Sequence, residues 1–188
     1  MTATIDRTII NERGPLPPTR LSLAPEGTAP GLLDGAWWPR SRDLFRELPA
    51  LLDVLDSRWG RITRVTVNPA HWPVIPRKVP VAGHTMHVGW FIEEQDPHQL
   101  LLLSWTGGRW DLLIIPPETG AAAAARLMSA AAVPGALTAS ALMASEDTTR
   151  DASETVSREE QWEAEGGAAF VGAGNPDPTG PSGSAPRM

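Results

Sequence analysis

The sequence predicts an α+β fold: an antiparallel sheet of five or six strands in the order β-β-α-β-β-β-β-α-α, helices mainly on one face, with the sheet either open or curled into a partly open barrel. Three observations lead there. Residues 62–68 and 84–92 alternate side-chain character with a period of two. Gly107 and Gly108 separate two apolar runs, as in a β-hairpin. Leu44, Leu48, Leu51, Leu52 and Leu55 recur at helical spacing.

Each element has its own warrant. Leu21 and Leu23 begin a first strand before Pro25, and Leu33 to Trp38 form a second that Pro39 stops. Ser41 is placed to cap the leucine helix. Pro49 either kinks that helix or begins a second one as its first residue. In the next strand Thr63, Val65 and Val67 share one face and Ile62, Arg64 and Thr66 the other, until Pro69 ends it. Residues 68–83 carry four prolines and read as an ordered strap across the sheet, either a cover or a ligand-binding loop. His84 to Ile92 follow as a strand. A two-residue Gly-Gly turn pairs Trp105 with Trp110, Leu103 with Leu112 and Leu101 with Ile114 on a core face, leaving Ser104 opposite Asp111 on the other. Pro116 and Pro117 stop the sheet. Thr119 can cap an alanine-rich helix over 120–132, and a last helical stretch runs from Thr138 to about Glu146.

Composition sets the domain plan. Of 188 residues, 41% are hydrophobic and 20% charged, as in a globular protein. Apolar patterning is dense over residues 20–147, which read as one domain between a flexible arm (1–19) and a disordered, acidic Gly/Pro/Ser-rich tail (148–188). Residues 146–188 hold nine acidic and three basic side chains, enough to account for the whole net charge of −6. The rest of the chain balances, so an acidic total does not exclude a basic face on the domain. The absence of Cys excludes thiol catalysis and Cys-ligated zinc. With no signal-peptide core and no long apolar run, the expected location is cytoplasmic, with no membrane partner.

The segments LDGAWWPRSRDLFRELPALLDVLD, RWGRITRVTVNPAHWP, HVGWF and GRWDLLIIPPETG resemble an uncharacterised domain-of-unknown-function family of GC-rich, actinobacteria-type genomes. The resemblance spans roughly residues 21–146. It implies one structural unit over 20–147 and carries no activity, cofactor or catalytic residue.

The clearest functional signal is segregation of charge. Ser57 to Ile92 contain no Asp or Glu but five basic side chains, three histidines and Trp59, Trp72 and Trp90. From this region Arg61, Arg64, His71, Trp72, Arg77 and Lys78 are the candidate ligand-binding residues. They suit an anionic small molecule, an acidic protein segment, or the chain's own tail around Glu159 to Glu165 with Trp162 as a tethered competitor. A sequence-tolerant nucleic-acid surface is a further option. The alternative is a small enzyme with His71 or His87 as general base and Arg77 orienting an anionic substrate. No metal or cofactor is expected: His84 and His87 fall on opposite faces of a strand, and His71 could meet one of them without an HExxH pattern beside it. Trp37 or Trp38, beside Arg40 and Arg42, could stack a ligand, although large aromatics in a small domain more often fill the core. Among the acids, Asp53 and Asp56 should be solvated and Asp111 should engage Arg109 on the sheet surface. No P-loop, nucleophile elbow or dinucleotide fingerprint is present.

Overall fold

In a computed structural model, the described residues are 18–166 except 28, 30, 94 and 136. Most of the expected arm (1–17) and the last part of the expected tail (167–188) lie outside them. The elements in chain order are β1 (Leu21–Leu23), β2 (Gly35–Trp37), α1 (Leu44–Trp59), β3 (Ile62–Val67), a 3₁₀ turn (Pro69–His71), β4 (Lys78–Val81), β5 (His84–Trp90), β6 (Gln99–Ser104), β7 (Arg109–Ile114), α2 (Ala121–Ala131) and α3 (Ala139–Gly166). Contacts divide the chain into two units that meet between Thr149 and Arg150.

The class is α+β, but the sheet is mixed and has seven strands, in the order β1-β2-β7-β6-β3-β5-β4. Two seams are parallel, β2 with β7 and β3 with β5. The sheet stays open, with β1 and β4 as its edges. The additional strand is β4: part of the segment expected to strap the sheet pairs antiparallel with β5 instead, and Pro80 is tolerated because it stands on an edge.

Helices cover both faces rather than mainly one. α1 buries its predicted leucine stripe against Val65, Val67, Val79, Met86, Val88, Leu100, Leu102, Leu112 and Ile114. On the opposite side Ala36, Leu113 and Ile115 meet Ala124, Leu127 and Ala131 of α2 and Ala139 and Leu142 of α3. Strand alternation produces this division, because neighbouring residues of β2 and β7 serve different cores. The second cover lies over the β2–β7 end. The β6-β3-β5-β4 part of that face keeps several exposed or half-exposed side chains, including Arg64, Lys78, His87, Leu101 and Leu103.

α1 starts at Asp43, not Ser41: the Asp43 carboxylate accepts from the N–H groups of Phe45 and Arg46. Ser41 instead donates its hydroxyl to Glu47, 2.7 Å away. Pro49 lies inside one helix and starts no second one. A bulge between Ile62 and Arg64 re-phases β3, so Ile62 joins Val65 and Val67 in the core.

The β6–β7 register differs from the Gly-Gly expectation by three residues. Leu103 pairs with Arg109, Leu102 with Trp110, Leu101 with Asp111 and Leu100 with Leu112. The connection is longer than two residues: the Ser104 N–H donates to the Gly108 carbonyl and the Gly107 N–H to that of Ser104. An odd slip turns β6 over, so Leu100 and Leu102 become core and Trp105 stands 78% exposed. The two glycines have separate tasks. Gly107 has φ +85°, whereas a Cβ on Gly108 would lie 2.2 Å from Cη2 of the Trp110 indole. That indole stacks on Trp59, with ring centroids 4.7 Å apart, instead of pairing with Trp105.

α2 begins after Gly120 without a side-chain cap, so Thr119 does not cap it. α3 continues well past Glu146, through the segment expected to be disordered from 148. Its residues 139–165 contain neither Gly nor Pro to interrupt the helix, although every side chain from Arg150 to Trp162 is exposed.

Candidate functional site

β3, β4, β5, β6 and β7 bring five separated positions into one line. Arg109 pairs with Leu103, Leu103 with Arg64, Arg64 with His87, and His87 with Lys78. Paired residues share a side of the sheet, and their strand neighbours Val65, Val79, Met86, Val88 and Leu102 all pack toward α1. The line therefore stands on the opposite face. At about 4.8 Å per strand it extends roughly 19 Å.

Charge along this line is one-sided. Arg109 is held by Asp111, with Nε to Oδ2 at 3.0 Å, and the pairing raises the Arg109 pKa. Arg64, His87 and Lys78 are exposed, and no side-chain hydrogen bond or ion pair joins them to a described residue. Arg64 and Lys78 stand on the same face with His87 between them, so an anion laid across the line would meet two cations that have no described partner. The adjoining row, Leu101, Thr66 and Gly89, is small and largely apolar. A Cβ on Gly89 would meet only Thr66 Oγ1, at 3.8 Å, while Thr66 itself is buried.

The other candidate residues lie elsewhere. Arg61 precedes β3 and Arg77 precedes β4; both are exposed at strand ends. Trp72 is 4% exposed and packs in the α1 core, its ring 5.9 Å from that of Trp37, so it offers no free stacking face. Trp37 is likewise core, while Trp38 is covered by Arg20, whose guanidinium carbon sits 3.5 Å from the ring centroid. Of the six candidate residues, the sheet brings Arg64 and Lys78 together, with His87 between them.

His71 meets His98, a residue the sequence reading did not weigh, rather than His84 or His87; the ring centroids are 4.3 Å apart. His71 Nε2 and His98 Nδ1 are buried without a hydrogen-bond partner. Burial pushes both histidines below their ordinary pKa, and for His71 the neighbouring His98 and Arg42 act in the same direction. The pair is framed by Arg42, which donates to the His71 carbonyl at 2.8 Å and pairs with Glu118. Asp96 lies beside it, accepting from His98 N–H and from both the N–H and hydroxyl of Ser140. Burial would raise the Asp96 pKa, but these donors outweigh it and the net direction is down. Such a site can hold neutral imidazoles able to accept a proton.

His84 Nε2 donates at 2.8 Å to the Ile62 carbonyl and approaches Asp56 at 3.8 Å. Asp56 is not simply solvated: its other oxygen accepts from Ile62 N–H at 2.7 Å. Asp111 faces Leu101 rather than Ser104, and also accepts from Gln99 at 2.6 Å. Among the described residues no group of three or more His, Asp or Glu is arranged to hold a metal, and no helix is long and apolar enough to cross a membrane.

One protein-family model matches, over residues 20–131; its description is Family of unknown function (DUF5994). No curated protein and no solved structure matches the chain.

Proposed function

The chain belongs to DUF5994, a family of unknown function, and from that premise we propose that its domain is a noncatalytic binding module that engages an extended anionic ligand, best exemplified by an acidic protein segment. The observation that carries this reading is the line Arg64, His87, Lys78: three neighbouring strands present basic side chains on one face, with no described carboxylate against them. Across three strands the basic line spans roughly 10 Å, which suits a strung-out ligand better than a single small ion. Half-exposed Leu101 and Leu103 beside it add apolar contact for the ligand's backbone or side chains.

Anisotropy of fluorescein-labelled polyglutamate tests the reading. Arg64→Glu with Lys78→Glu should weaken binding at least tenfold, a change of about 1.4 kcal/mol, while leaving the melting curve intact. Equal affinity for the double variant would sink it. Oligothymidylate, run in parallel over a salt series, separates a nucleic-acid surface, for which affinity falls steeply with salt.

A second reading, a small enzyme with His71 as general base, draws on the buried, neutral His71–His98 pair. Turnover of simple phosphate or carboxylate esters that His71→Gln abolishes and Lys78→Glu spares would favour it.

A further inference from the structure

We propose a separate binding site for a small oxyanion-bearing molecule, in the hollow between the residues flanking β1 and β2 and the first turns of α1. The hollow encloses about 270 Å³, with Arg20, Arg40 and Arg46 around it and Glu47, Ser41 and Trp38 in its wall. None of these residues belongs to the basic line on the sheet.

Three guanidiniums face one carboxylate, and that carboxylate is already engaged. Glu47 Oε1 accepts from the Ser41 hydroxyl at 2.7 Å, and Oε2 from the Arg40 backbone N–H at 3.2 Å. Arg20 is fixed in place: Nε donates to the Trp38 carbonyl at 3.0 Å, Nη2 donates to the Pro39 carbonyl at 2.6 Å, and its guanidinium carbon sits over the Trp38 ring. Arg20 pays for this position in proton affinity, since burial and then the adjacent Arg40 lower its pKa, opposed by Glu47. The side chains of Arg40 and Arg46 make no hydrogen bond or ion pair with a described residue. A bound anion would supply the missing negative charge, and the guanidinium fork is shaped for the paired oxygens of carboxylates and phosphates.

Size narrows the class. A volume of 270 Å³ falls just below the roughly 300–1,000 Å³ of pockets for drug-sized ligands. The occupant is accordingly a small metabolite carrying phosphate or carboxylate, too compact to be a nucleic-acid strand or a folded partner.

Calorimetric titration of the full chain with inorganic pyrophosphate and, separately, with citrate tests the site and distinguishes the two sources of oxyanion. Arg46→Glu and Arg40→Glu should each weaken the tighter of the two by at least tenfold, whereas Lys78→Glu should leave it unchanged. Glu is compatible with the first turn of a helix, so Arg46→Glu should keep its melting curve; Arg46→Gln, removing the charge alone, should lose affinity in the same direction. Tighter pyrophosphate binding assigns a phosphorylated ligand, and tighter citrate a carboxylate. Binding of neither probe, or binding that survives both arginine reversals, overturns the proposal. Loss on Lys78→Glu alone also overturns it, by returning the anion to the sheet. Polyglutamate binding by the sheet line can fail without touching this result.

Discussion

His71 and His98 touch in the folded chain and separate when it unfolds, which makes their protonation a stability variable. Burial lowers both folded pKa values below the ordinary 6.5. The unfolded chain consequently takes up protons first as pH falls: the pair's contribution is complete above about pH 6.5 and is lost as pH drops through the folded values. Nearby Asp96, Asp147 and Glu118 oppose the shift, and Arg42 reinforces it. The melting temperature should fall between pH 7.5 and 5.5, and His98→Asn should flatten that slope. Asp96 acts in another window, since its lowered pKa leaves its contribution in place until the acid range below 3.8. This pairing was not legible in the sequence. His98 lies outside the acid-free basic run, and only the chain's return from β5 to β6 brings it to the 3₁₀ turn that holds His71.

At the level of elements, α1 was largely readable because five leucines on one stripe define a buried helix face whatever surrounds it. Its Pro49 is the anomaly. A proline there withholds the N–H that would bond Phe45, and Pro is about 3 kcal/mol worse than Ala in a helix interior. Pro49→Ala should therefore raise the urea midpoint, by a stabilisation of at most about that size; a lower midpoint would mean that the ring's packing outweighs the lost bond. The β6–β7 hairpin was only half readable. Two apolar runs around two glycines announce a hairpin, but its register depends on Ser104, which accepts Gly108 N–H on its side-chain oxygen, and on the room Gly108 leaves for Trp110. The outer half of α3 was not legible for another reason: composition measures how much a segment can bury, not whether a stretch free of Gly and Pro is helical.

For the whole molecule, the boundary at Thr149 separates a unit with both cores from the exposed remainder of α3. A chain ending at Thr149 should melt cooperatively within about 0.5 kcal/mol of the full chain, the range expected for changes away from buried contacts. A large loss on truncation would refute the independence of the first unit. The basic segregation was visible in the sequence, yet the line that organises it was not. Its members, 64, 78, 87, 103 and 109, become neighbours only through pairings that cross the sheet, and the β3–β5 seam is parallel where the sequence predicted an antiparallel sheet.

The β2–β7 seam has a consequence in time. Asp34 and Asp111, 77 residues apart, clasp the two strands: the Asp34 N–H donates to the Asp111 carbonyl, and the Asp34 carboxylate accepts from the Asp111 N–H. During synthesis β1 and β2 emerge early but have no sheet to join until β7 has been made. Long-range closure of this kind slows folding. The interval leaves the β2 edge open to pairing with another chain, and a pause in translation before residue 111 prolongs that exposure.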